Sequence, residues 1–116
     1  MADLLVDTDV FVDHLRAATG VGDPSDTIAV SAITRAELFA GSRVDEDGLR
    51  VLLGPLRELS VDSVVAERGG RVRRETALAL PDALIAATAL KHDLILLTRN
   101  RRHFERVDGL RLRSPA

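Results

Sequence analysis

Apolar residues in this chain fall into short runs that alternate with longer stretches at helical spacing. Leu4-Leu5-Val6 is too brief for a helix, while Val10, Phe11 and Leu15 recur at helical intervals as far as Arg16, so a strand followed by a helix is predicted. Thr19 to Thr27 holds two Gly, a Pro, a Ser and two Asp, a turn composition that predicts a loop. Ile28-Ala29-Val30 reads as a second strand, and Ile33, Ala36, Leu38 and Ala40 as a helix stopped near Gly41. Asp45-Glu46-Asp47 opens a third helix, with Leu49, Leu52, Leu53 and Leu56 on its buried face and Pro55 as a kink. Leu59-Ser60-Val61 predicts a third strand, followed by a helix from Ser63 to Ala77 whose weak point is Gly69-Gly70. Pro81 suits a first helical position, and the nearly all-apolar stretch from Ala83 to Leu90 predicts a buried helix. Leu94-Ile95-Leu96-Leu97 is apolar on both faces, as an interior strand of a parallel sheet should be, and Leu110 to Leu112 offers a last strand. The basic stretch between them, Arg99 to His103, reads as a loop.

Strand and helix alternate because each parallel neighbour needs a crossover to return the chain. The expected fold is therefore α/β, a mostly parallel sheet of four to five strands flanked by helices, in a single domain over residues 1–116. A hydrophobic fraction of 46% supports a packed core rather than a disordered chain. With no Cys, disulfides, thiolate metal sites and a thiol nucleophile are excluded, so any metal must take oxygen or imidazole ligands. Neither a signal peptide nor an apolar run long enough to span a bilayer is seen, which predicts a cytoplasmic location and no membrane partner. The net charge of −2 hides an asymmetry: residues 1–67 carry 13 acidic and 5 basic groups, residues 68–116 carry 5 acidic and 11 basic groups. One half is suited to cations, the other to an anion.

Ligands of open α/β sheets bind beyond the carboxyl ends of the strands, so the polar residues expected there are the candidates. Asp7 and Asp9 follow the first strand, Ser31 and Thr34 the second, and Thr98 and Asn100 the fourth. Glu37 lies a turn into the helix after the second strand, and Asp82 at the start of the helix preceding the fourth. Should the fold gather Asp7, Glu37 and Asp82, their like charges would demand a cation, and hard oxygen ligands suit Mg²⁺ or Mn²⁺. Such an ion would activate water and neutralise charge on a phosphate. Each residue also has a purely structural role open to it. Asp7-Thr8-Asp9 can cap a helix, Thr34 to Glu37 fits a capping box, and Asp82 in a first turn is favoured by the helix dipole.

Four segments resemble the PIN-domain family, and within it the VapC-type toxins. They are Leu4 to Asp13 with its metal-binding Asp, Val30 to Leu38 with its Glu, Leu80-Pro81-Asp82-Ala83 to Ala89, and Leu97-Thr98-Arg99-Asn100 to Val107. The resemblance implies a PIN fold, Mg²⁺- or Mn²⁺-dependent cleavage of RNA, a homodimer, and a VapB-like antitoxin whose C-terminal segment occupies the toxin's groove. It also implies Asp7, Glu37 and Asp82 as the acidic metal site and catalytic set, with Asp9, Thr98 and Asn100 in support. His103 stands where many relatives place a fourth acid, which favours one tightly held ion. Arg99, Arg101 and Arg102 flank the site and offer forked donors to RNA phosphates. With three Phe and no Trp or Tyr, recognition would rest on backbone and shape rather than base stacking.

Two other readings compete. Asp7-Thr8-Asp9 after an apolar strand is also similar to haloacid-dehalogenase-type phosphatases, which require a downstream catalytic Lys, and Lys91 is the only Lys. A PIN-fold binding module without catalysis is the second, motivated by His103.

Overall fold

A computed structural model of the chain describes residues 2–17 and 25–115, with the side chains of all of these except 13–17. Most of the loop expected over Thr19 to Thr27, and the side chain of Leu15, therefore lie outside the described residues. The elements follow in the order β1 (Asp3–Val6), α1 (Thr8–Ala17), β2 (Thr27–Ser31), α2 (Ala32–Phe39), α3 (Glu46–Leu53), β3 (Arg57–Leu59), α4 (Ser63–Thr76), α5 (Leu80–Lys91), β4 (Ile95–Leu97), α6 (Arg101–Phe104) and β5 (Leu112–Arg113). The strands form one five-stranded sheet in the order β3-β2-β1-β4-β5, and every pairing is parallel. β1 is the central strand, paired with β2 on one side and with β4 on the other.

The period-2 alternation of the strands decides which helices cover which face. Leu5, Ala29, Leu59 and Leu96 point to one side, where they meet Val72 of α4, Ala83, Ile85, Ala86 and Ala89 of α5, and Phe104 of α6. Leu4, Val6, Val30 and Leu97 point to the other, against Val10 and Phe11 of α1, Leu38 of α2, and Leu49 and Leu53 of α3. The result is a three-layer sandwich, with α5 so deeply enclosed that Ala83, Ile85, Ala86, Ala87, Thr88 and Ala89 are all buried. Thr88 is tolerated there because its hydroxyl donates back to Leu84 O at 2.7 Å. Among the described residues no helix is long and apolar enough to cross a membrane.

Several element boundaries differ from the sequence expectation. The third strand is Arg57–Leu59 rather than Leu59 to Val61, because it pairs with β2 only up to Ser31↔Leu59 and β2 ends there. Pro55 does not kink α3 but follows its end, since without an N–H it cannot extend the ladder. Leu56 consequently lies beyond that helix, and only Leu49 and Leu53 of its expected face are buried. Pro81 is the second rather than the first residue of α5, after Ala79 at the cap. The last strand is Leu112–Arg113, and the basic stretch expected to be a loop contains α6. Gly69 is no weak point: a Cβ there would lie 2.5 Å from Leu84 Cδ2, so the glycine permits α4 to approach α5 closely.

Candidate active site

The chain runs outward from β1 through β2 to β3, then returns to the far side of β1 as β4 and β5. Strand order therefore reverses between β1 and β4, and the crevice beyond their carboxyl ends is where this architecture receives ligands. A pocket of about 380 Å³ opens there, lined by Asp7, Thr8, Asp9, Glu37, Asp82, Asn100, His103 and Phe104.

Asp7 is the innermost of these residues, only 5% exposed. Its backbone N–H still belongs to the sheet, donating to Leu97 O at 2.9 Å, so its position is set by β1–β4 pairing. Thr98, fully buried at the end of β4, donates its hydroxyl to Asp7 Oδ2 at 2.8 Å, and the Thr8 N–H donates to Oδ1 at 2.8 Å. Burial nevertheless dominates and pushes the carboxyl up to about 6; the Thr98 and Thr8 bonds oppose this, and the charges of Asp9 and Asp82 reinforce it. The Thr98 oxygen also accepts from the Asn100 N–H at 3.0 Å, which ties the turn after β4 to the same point. Asn100 Nδ2 in turn donates to Asp9 Oδ2 at 3.0 Å.

Glu37 reaches the pocket from α2. Its Oε1 accepts from the Thr8 hydroxyl at 2.7 Å, and Thr8 Oγ1 also lies 3.0 Å from Thr34 Oγ1. The capping-box role open to Glu37 is not taken. Ser31 is the N-cap of α2, accepting from Ile33 N, and Thr34 sits inside the helix, so Glu37 is too far along to reach the cap. Asp82, in the first turn of α5, faces His103 of α6, whose Nε2 lies 3.0 Å from Asp82 Oδ2.

The structure thus brings Asp7, Asp9, Glu37 and Asp82 to one pocket, with Thr98 and Asn100 fixing two of the four. It does not pack them into a tight cage. Among the described residues no three His, Asp or Glu side chains are gathered closely enough to chelate an ion unaided. Each carboxylate is turned towards a partner of its own: Asp7 to Thr98, Asp9 to Asn100, Glu37 to Thr8 and Asp82 to His103. The donor set is nonetheless entirely oxygen, apart from the His103 imidazole. Each oxygen of Asp7 accepts one hydrogen bond and retains capacity for another contact. That arrangement fits a hard divalent cation that binds through few carboxylates and keeps several waters.

Thr8 was absent from the candidates read in the sequence, although it orients Glu37; its place between two Asp was the available signal. His103, expected in a loop, is carried on α6, which holds it against Asp82. Arg99, Arg101 and Arg102 stand beside the acidic pocket rather than in it. With Asn100, His103, Arg106 and Ser114 they line a second pocket of about 570 Å³. Lys91, the one Lys a phosphatase of the haloacid-dehalogenase type would need, lies at the opposite end of α5 from Asp82, paired with Asp62. A helix of this length separates the two by roughly 14 Å, which removes that reading.

A model of the PIN domain family matches residues 4–110. Ribonuclease VapC10 of Mycobacterium tuberculosis is 36% identical over 120 residues, covering 93% of this chain and 90% of that protein. Among solved structures, a toxin–antitoxin complex from Klebsiella pneumoniae aligns at 30% identity with a TM-score of 0.76, covering 92% of this chain and 94% of that one. VapBC2 from Rickettsia felis, bound to a promoter DNA fragment, shares the fold with a TM-score of 0.82 at 21% identity, covering 98% of this chain and 99% of that one.

Proposed function

The chain belongs to the PIN domain family, and on that premise we propose that it is a metal-dependent ribonuclease, the toxin of a VapBC-type toxin–antitoxin system. The observation that carries the reading is the set of four carboxylates from β1's end, α1, α2 and α5 around one pocket at the switch point of the sheet. Its innermost member is desolvated enough to disfavour its own charge. The ribonuclease activity ascribed to the Mycobacterium tuberculosis relative, at 36% identity along nearly the whole chain, supports the substrate class.

Asp7, Glu37 and Asp82 would hold Mg²⁺ or Mn²⁺. When bound, the ion supplies positive charge to the phosphate and acidity to a water. The protein's own groups do the rest. Thr98 and the Thr8 N–H fix the Asp7 carboxylate against the sheet, leaving its outward lone pairs aimed into the pocket. Thr8 holds Glu37 and Asn100 holds Asp9, so both acids are pre-positioned at the rim to accept a proton from water. Burial of Asp7 excludes water from one side and strengthens every electrostatic contact made there.

The Klebsiella pneumoniae neighbour is a toxin–antitoxin complex, which supports a VapB-like antitoxin as partner. The proposal extends to a homodimer and a cytoplasmic location, as the resemblance to the family implies. The test is cleavage of a structured RNA mixture that includes transfer RNAs, using purified, antitoxin-free protein with Mg²⁺, with EDTA, and as Asp7→Asn. Cleavage confined to the intact protein with metal is expected. No cleavage of any RNA with either Mg²⁺ or Mn²⁺ would leave a PIN-fold binding module as the better reading.

A further inference from the structure

The second pocket stands in sharp electrostatic contrast to the first. Arg99, Arg101, Arg102 and Arg106 line it together with Asn100, His103 and Ser114, and no carboxylate does. Asn100 and His103 line both pockets, so the basic groove opens directly off the acidic one. Arg101 and Arg102 are exposed on α6, and their side chains make no hydrogen bond or ion pair among the described residues. Arg106 is different. Its Nη1 donates to Thr76 O, the last residue of α4, at 3.1 Å, which fixes the head of the side chain while leaving its other donors open. A guanidinium held in place loses less entropy on binding an anion than a free one.

Arginines gathered along one groove raise its positive potential and attract an anion. An RNA strand reaching the acidic pocket faces four carboxylates that repel its phosphates, so a neighbouring source of positive charge is required to hold it there. Phe104 is almost fully buried, and the one ring among the residues lining the basic groove is the His103 imidazole, which is turned to Asp82, so the groove offers mainly guanidinium donors. What the groove can recognise is the backbone.

Resting on the ribonuclease reading, we propose that Arg101, Arg102 and Arg106 form a phosphate-binding subsite that grips the RNA backbone immediately beside the scissile bond, without regard to base. The subsite continues the active site along α6 and adds Arg106, which was not among the arginines singled out in the sequence, to its working residues. Because its contacts are the same before and during the reaction, it acts through binding, not through the chemical step.

The experiment measures binding of a fluorescent single-stranded RNA oligonucleotide as a function of salt, in the Asp7→Asn background without metal, so that cleavage plays no part. The variants are Arg101→Ala, Arg102→Ala and Arg106→Gln, the last keeping a neutral donor for Thr76 O. The slope of log affinity against log salt is expected to fall by about 0.7 for each arginine that contacts a phosphate. In otherwise native protein, the same variants are expected to raise KM severalfold with kcat unchanged. Affinity and salt slope unchanged in all three variants would overturn the subsite, as would a loss confined to kcat. RNA binding intact alongside weakened inhibition by the antitoxin would overturn it in favour of a protein-docking groove. A wild-type protein that cleaves no RNA would refute the ribonuclease reading separately, because the binding series needs no catalysis.

Discussion

Asp7 illustrates how a buried pocket residue works against the fold that holds it. Burial raises its carboxyl from an ordinary value of 3.8 to about 6, so the folded, metal-free protein holds this proton more tightly than the unfolded chain. Between those values the folded state binds more protons, and stability must fall as pH rises. The loss begins near pH 4 and is complete above about pH 6, at a cost of the order of 3 kcal/mol from this group. Asp7→Asn removes the charge while keeping an oxygen for the Thr8 N–H and an amide that the Thr98 oxygen can accept from. In EDTA at pH 7.5, the variant is expected to melt higher than wild type and to lose this part of the pH dependence, as read by thermal unfolding across pH 4 to 8. A lower melting temperature for Asp7→Asn at pH 7.5 would show that desolvation does not dominate at this carboxyl. That Asp7 would stand at the carboxyl end of the sheet was legible from its place after a strand. The raised proton affinity was not, because it comes first from burial by elements distant in sequence, with Thr98, 91 residues away, opposing it and Asp82 adding to it.

At the scale of elements, the two adjacent glycines of α4 separate propensity from packing. Both lower the helix propensity of the segment equally, and the sequence offers no way to tell them apart. In the structure a Cβ on Gly69 would lie 2.5 Å from Leu84 Cδ2 and 3.3 Å from Leu84 Cα, whereas one on Gly70 meets nothing within 4 Å. Gly69→Ala is therefore expected to destabilise by about 1–3 kcal/mol through overpacking. Gly70→Ala should stabilise by up to about 1 kcal/mol through helix propensity. Opposite shifts of the two urea midpoints at equal m-values check this, and equal shifts would mean that α4 and α5 are not in close contact there. Helix α6 illustrates a different limit. Four residues are too few to show a helical period, yet this turn carries His103 to Asp82 and displays Arg101 and Arg102. Strand β3 shifted for a reason equally invisible locally, since its usable length is set by where β2 stops.

For the whole molecule, the carboxylates of the pocket come from the end of β1, from α1, from α2 and from α5, so a cation bound among them joins elements spread across the chain. A ligand bound only by the folded state stabilises it by about 2.7 kcal/mol at one hundred times its dissociation constant, roughly 10 °C or more for a domain of this size. Mg²⁺ or Mn²⁺ at saturation is thus expected to raise the melting temperature of wild type at pH 7.5 and to leave Asp7→Asn almost unmoved. Scanning calorimetry with and without each ion is the check, and no shift with either would argue against the proposed metal site. The charge halves of the sequence do not stay apart in space. Arg113 reaches Asp26 and Lys91 pairs with Asp62, and Asp82 from the basic half joins three acids from the acidic half.

The sequence by itself determined the α/β class, the parallel sheet, the buried α5 and the acids at strand ends, because these rest on local periodicity and on which residue types a strand or helix interior tolerates. Four ordered motifs also carried the resemblance to the family. Only the tertiary structure decided that strand order reverses between β1 and β4, which puts Thr98 against Asp7, brings Glu37 to Thr8 and His103 to Asp82, and sets an arginine-rich groove beside a pocket with four acids. Those pairings span up to 91 residues. Electrostatic and hydrogen-bond energies depend on separation in space, and a linear pattern carries no such distances until the sheet has fixed the order of its strands.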